Sequence, residues 1–155
     1  MLTALHFRVK PNSLRLDLQI YPHKVDIQAR YADVDPQWHL NNVRIVELYQ
    51  EGRISFNRMI SKEFEMLYEQ GHRILVARQS IDYLLEVKWP GTVTIGAGVI
   101  RVGGASFSLG LAMFQHGKCV GVSDAVLVYV FQQGPTRIPE GLREVRERRM
   151  LPTIA

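Results

Sequence analysis

Between residues 30 and 42 the chain reads Arg30-Tyr31-Ala32-Asp33-Val34-Asp35-Pro36-Gln37-Trp38-His39-Leu40-Asn41-Asn42, gathering carboxylates, an imidazole and carboxamides in one short stretch. A carboxylate can attack a carbonyl carbon or take a proton from water. A helix starting just downstream would offer unpaired backbone N–H groups and a positive dipole end, where a developing oxyanion is stabilised. A thioester carbonyl placed between the two would be attacked on carbon and stabilised on oxygen, so the segment can hold both halves of an acyl-transfer site. Taken one at a time, Asp33 and Asp35 read as turn caps and Asn41 and Asn42 as helix caps, ordinary roles for these residues. Their density is what points to chemistry.

The flanking pattern positions this segment. Upstream, Val25, Ile27, Ala29 and Tyr31 alternate with Lys24, Asp26, Gln28 and Arg30, the period of a half-buried strand. Downstream, Ile45, Leu48, Tyr49, Gly52, Phe56, Met59 and Ile60 recur at three- and four-residue spacing after an N-cap at Asn41 or Asn42. The spacing predicts a helix of about five turns. A shorter helical piece is expected over 61–70, stopping at Gly71. Four strands are expected over 74–87, 92–102, 106–115 and 118–131, separated by turns at Lys88-Trp89-Pro90-Gly91, Gly103-Gly104 and His116-Gly117. A long helix followed by an antiparallel meander buries its apolar stripe only by lying across one face of the sheet, which predicts an α+β fold with the sheet wrapped around the helix. Leu14, Leu16, Leu18 and Ile20 alternate with Arg15, Asp17 and Gln19, the pattern of an extra edge strand or of an arm packed on the sheet. The expected organisation is thus an N-terminal extension over 1–23, one domain over 24–133, and a tail over 134–155 with a short charged helix. There Arg143, Arg146, Arg148 and Arg149 interleave with Glu140, Glu144 and Glu147, as on a solvated helix face.

Composition narrows the classes. A chain of 155 residues, 46% hydrophobic, suffices for one core and not for two comfortable domains. Cys119 is the single cysteine and lies in an apolar run, which excludes an intramolecular disulfide and reads as a buried, inert thiol in a reducing compartment. No stretch has the apolar length of a signal peptide or a membrane span, so a cytoplasmic protein without a membrane partner is expected. The net charge of +4 is dispersed, with no basic stripe or aromatic platform, which argues against nucleic acid. His6, His23, His39, His72 and His116 have no partners at metal-ligand spacing, and no metal site is expected. Gly103-Gly104 joins two strands rather than opening a helix, so it is a hairpin and not a phosphate loop.

The segment over 30–42 resembles the signature of the 4-hydroxybenzoyl-CoA thioesterase-like family of hotdog proteins, approximately Arg-x-x-Asp-x-Asp-x-x-Gly-His-x-Asn-Asn before the central helix. Arg30, Asp33, Asp35, His39, Asn41 and Asn42 match in register. The resemblance continues in Tyr49-Gln50-Glu51-Gly52-Arg53, in Arg78-Gln79-Ser80-Ile81-Asp82-Tyr83 and in Gly104-Ala105-Ser106-Phe107, covering roughly residues 24 to 131. It implies an acyl-CoA thioesterase, with Asp35 as nucleophile or general base. The Asn42 backbone N–H is then the oxyanion donor, and His39 and Asn41 shape the loop or contact the thioester. Arg30 and Asp33 would pair to fix the loop, and Glu47 and Glu51, on the helix, rank below Asp35. Trp38 stands where the family has Gly, which predicts a reshaped loop, a narrowed acyl pocket or packing at a subunit interface. Coenzyme A is part of the substrate and no separate cofactor is implied; Arg78, Arg101 and Lys88 are candidates for its phosphates. Acyl carrier protein is a further candidate partner, and a homodimer or dimer of dimers with shared sites is implied. The competing reading is a hotdog protein that binds acyl-CoA or acyl carrier protein without turnover.

Overall fold

The computed structural model describes residues 10–61 and 68–153. Its elements run in the expected order: strand β1 (His23–Gln28), helix α1 (Asn42–Ser61), strands β2 (Arg73–Tyr83), β3 (Thr92–Val102), β4 (Ser106–Gln115) and β5 (Lys118–Phe131), the two-residue strand β6 (Gly134–Pro135) and helix α2 (Glu140–Glu147). Most of the helical piece expected over 61–70 lies outside the described residues. The strands form one antiparallel sheet in the order β1-β3-β4-β5-β2, with β6 beside β5. Alternate residues Val93, Ile95, Ala97 and Val99 of β3 and Phe107, Leu109, Leu111 and Met113 of β4 are buried on the inner face with Ile45, Leu48, Tyr49, Phe56 and Ile60 of α1. Period two meets period 3.6 in a single core, as the sequence predicts. Met59 falls off the stripe and is exposed.

Gly52 lets α1 lie close to the sheet. A Cβ there would sit 2.5 Å from Ile95 Cγ2, closer than real contacts come. This glycine is retained mid-helix despite a propensity cost of about 1 kcal/mol relative to Ala.

One alternative is decided and two sequence expectations are corrected. The alternation over 14–20 does not form an edge strand. Asn12 Oδ1 accepts from the Leu14 amide at 2.9 Å and Asp17 Oδ1 from the Gln19 amide at 2.8 Å, closing two short 3-10 turns at Ser13–Leu16 and Leu18–Ile20. Such local side-chain bonds compete with sheet pairing. The segment instead lies as an arm on the outer face, where Arg15 pairs with Asp124 at 2.9 Å and donates to the Leu111 and Ser123 carbonyls. The strand expected over 74–87 ends at Tyr83, because the Leu84 and Leu85 amides both turn to the Val120 carbonyl. The tail helix is not solvated all round: Leu142, Val145 and Arg146 are buried, and the chain beyond clasps β3 through Val99 N to Arg149 O at 2.9 Å and Leu151 N to Val99 O at 2.7 Å.

Cys119 is half-buried with its Sγ 3.4 Å from the Gly121 carbonyl, and burial pushes its thiol above the ordinary range. No helix among the described residues is long and apolar enough to cross a membrane.

Candidate active site

The loop between β1 and α1 is a small closed hairpin. Asn41 N donates to Asp33 O at 2.9 Å, Asp35 N to His39 O at 3.0 Å, and Trp38 N to Asp35 O at 3.0 Å. Asp35 opens the tight turn, Pro36 follows where its fixed φ suits the first central position, and Asp35 Oδ1 accepts from Gln37 N at 2.8 Å. Trp38 closes the turn in the left-handed region, φ 65°. A hairpin of this length favours Gly at such a position. Trp38 thus holds a conformation open to Gly at little cost, here at a cost of about 1–2 kcal/mol, and its ring is 70% exposed rather than folded into the core. Trp38→Gly is expected to raise stability by about 1 kcal/mol, the relieved strain exceeding the added chain entropy. A melting temperature that falls instead would show that the ring packs against something in solution.

The hairpin is anchored at both ends. Asp33, buried, accepts from the Arg30 backbone N at 2.9 Å and pairs with the Arg30 guanidinium at 2.7 Å. That hydrogen bond chiefly holds the Asp33 carboxyl below the ordinary carboxylate range. Arg44 of α1 brings its Nε to 3.3 Å from Asp33 Oδ2, and its Nη1 to 2.9 Å from Glu47 and 3.1 Å from Glu51. Both helix carboxylates are therefore committed to Arg44, an anchor the sequence reading passed over although its spacing from Glu47 is that of a helical ion pair. On the far side, Leu40 N donates to Val87 O at 2.8 Å, and Gln115 brackets the Lys88 backbone with bonds of 2.9 and 2.7 Å. The loop thus bears on α1 and on the segment after β2, which is itself held to the end of β4.

Asp35 is half-buried, with Oδ2 3.3 Å from His39 Nδ1, while His39 Nε2 meets Gln37 Oε1 at 3.1 Å. Carboxylate and imidazole face one another across the turn, a pair able to hold and pass a proton. Asn41 caps α1: its Oδ1 accepts from Val43 N at 2.8 Å and its carbonyl from Ile45 N at 3.0 Å. Asn42, the first residue of α1, keeps its amide without an acceptor among the described residues. Asp35, His39, Asn41 and Asn42 are thus gathered within one hairpin and the helix start it leads into.

The three cationic candidates are not gathered with them in one protomer. Lys88, exposed, adjoins the loop through Val87. Arg78 and Arg101 share one row across the sheet, through the pairs Arg78/Val126, Val126/Ser108 and Ser108/Arg101. The neighbouring row of Leu109 and Ala125 is the buried one, so both arginines lie on the outer face, away from α1. Along α1 and β2, Phe56 is core, whereas Ile54, Met59 and Tyr83 are partly exposed. Among the described residues no three His, Cys, Asp or Glu side chains converge to hold a metal.

The model of the thioesterase-like superfamily matches residues 29–145. No curated protein sequence matches the chain. Among solved structures, a thioesterase from Thermus thermophilus in complex with coenzyme A and zinc superposes with a TM-score of 0.73 at 27% identity, over 83% of this chain and 93% of that one. A predicted thioesterase from Bacillus stearothermophilus gives 0.74 at 22% identity, over 84% and 98%. A gentisyl-coenzyme A thioesterase gives 0.70 at 12% identity, over 81% and 99%. The sheet wrapped on one helix is the hotdog fold.

Proposed function

Because the chain belongs to the thioesterase-like superfamily, we propose that it hydrolyses the thioester of an acyl-coenzyme A to a free carboxylic acid and coenzyme A, with Asp35 as the reacting carboxylate. The observation that carries this reading is the hairpin that presents Asp35 beside the start of α1, its Oδ2 facing His39. A thioester carbonyl oxygen at the Asn42 amide would place its carbon within the reach of Asp35. As general base, Asp35 takes a proton from water, the hydroxide adds to the carbonyl carbon, and the C–S bond breaks to release the thiol. As nucleophile, it forms a mixed anhydride as coenzyme A leaves, and water then cleaves the anhydride. In either route the amide stabilises the oxyanion and His39 orients the carboxylate. Lys88, beside the loop, is the best placed of the cationic candidates for the coenzyme A phosphates, and Arg78 and Arg101 serve only from another direction.

The same reading includes a homodimer. β2 is an outermost strand of eleven residues, paired among the described residues only with β5, with Leu75, Val76 and Tyr83 exposed. A long apolar free edge is a surface that proteins normally cover, and a second copy pairing β2 with β2 covers it. The test is steady-state thiol release from short, medium, long and aromatic acyl-CoAs, with the mass in solution measured on the same sample. Turnover by a dimer or larger assembly is the expected result. Acyl-CoA binding without turnover would replace the hydrolase by a binding protein, and a monomeric mass at micromolar concentration would remove the shared interface.

A further inference from the structure

A cavity of about 620 Å³ opens between the second half of α1, β2 and α2; its wall is apolar at Ile54, Ile60, Ile74, Val76 and Leu127 and polar at Arg53, Asn57, Arg58, Tyr68, Glu69 and Arg146. It lies apart from the hairpin: Arg53 is eleven residues beyond Asn42 on α1, about 16 Å at the helical rise. Both arginines are buried. Arg146 is 1% exposed; its guanidinium carbon lies 3.6 Å from the Phe107 ring centroid, its Nη1 reaches Asn57 Oδ1 only at 3.5 Å, and its Nε has no acceptor. Arg53, one turn before Asn57 on the same face of α1, is 8% exposed and has only Gln79 Oε1, at 3.5 Å. Among the described residues neither has a carboxylate within ion-pair distance; Glu69, on the cavity wall, is exposed and pairs with neither. Burial draws the Arg53 guanidinium below its ordinary range and, with Arg149, pushes Arg146 down to about 10; an arginine side chain carries its charge at neutral pH.

A buried charge without an anion beside it is costly, and two such guanidiniums line this one cavity. We propose that this cavity binds an apolar molecule through a carboxylate, which is received by Arg53 and Arg146. The forked donors of arginine suit a planar carboxylate, and the surrounding isoleucine, valine and leucine side chains suit a hydrocarbon chain. The carboxylate is either the far end of an acyl group whose thioester is cut elsewhere or that of a free fatty acid. Binding itself does not depend on the hydrolase reading; only its identification as part of the acyl substrate rests on that reading.

Calorimetric titration of the full chain with decanoate and with decanol tests the proposal without any thioester. Charge-assisted hydrogen bonds of about 1.5–3 kcal/mol predict decanoate binding roughly 10- to 100-fold tighter than decanol. Arg53→Met removes that preference while the alcohol still binds, and Arg53→Lys restores part of it. Absence of decanoate binding, or equal affinity for acid and alcohol in the wild type, overturns the proposal whether or not any variant folds. A kinetic arm compares decanoyl-CoA with the CoA monothioester of decanedioic acid. A lower KM for the latter, lost in Arg53→Met, assigns the far end of the acyl group. Decanoate binding with no such KM difference assigns a free fatty carboxylate.

Discussion

Asp35→Asn is expected to lower kcat for acyl-CoA hydrolysis by about a thousandfold, with KM, fold and assembly little changed. Loss of a positioned base or nucleophile typically removes a factor of about 10²–10⁴. The substitution is conservative for the loop: Asn keeps an oxygen for the Gln37 amide, the 2.8 Å contact that shapes the turn, and loses the negative charge and the basic lone pair. A drop confined to kcat marks an interaction made in the transition state rather than in substrate binding. A loss of less than about tenfold would move the chemistry off Asp35. Glu47 and Glu51 are the carboxylates next along the chain, and each would first have to leave Arg44, at 2.9 and 3.1 Å.

Gly52→Ala sets two known effects against each other. Alanine in a helix interior is favoured over glycine by about 1 kcal/mol. The added methyl, however, falls 2.5 Å from Ile95 Cγ2 and 3.2 Å from Ile95 Cβ, and Ile95 is fully buried and branched at the point of contact. Overpacking a close-fitted core costs about 1–3 kcal/mol, and a contact this short belongs at the upper end. The net result is a destabilisation of about 2 kcal/mol, a fall in melting temperature of roughly 4–8 °C for a domain of this size. Far-UV circular dichroism melts of the two proteins decide it. An unchanged or raised melting temperature would mean that α1 moves off the sheet at little cost, and that the helix start beside Asp35 is not rigidly held.

The helix and the four long strands were legible because their signal is periodic burial, and nothing local competes with it from Ile45 to Ile60 or from Thr92 to Phe131. The 14–20 segment misled for the opposite reason: its leucines alternate, but Asn12 and Asp17 close turns that periodicity does not register. The residues of the hairpin were legible from their types and order, since turn, cap and carboxylate all lie close in sequence. Two kinds of information were not. That Trp38 keeps φ 65° is a property of a closed loop whose hydrogen bonds fix the backbone before the side chain is consulted. That Arg53 and Arg146 share a cavity depends on α2 folding back over α1, which brings together residues almost a hundred positions apart. In the sequence Arg146 looks like its exposed neighbour Arg148.

Cys119 has a bearing on the proposed hydrolysis, which would release a thiol. A thioesterase works among coenzyme A thiols and the disulfides they form, and a protein cysteine joins that traffic only as a thiolate. Cys119 is half-buried and burial pushes its thiol upward, which disfavours the thiolate and makes it a poor partner for exchange. The fold thereby makes its single cysteine a poor target for the thiol that the proposed hydrolysis would release.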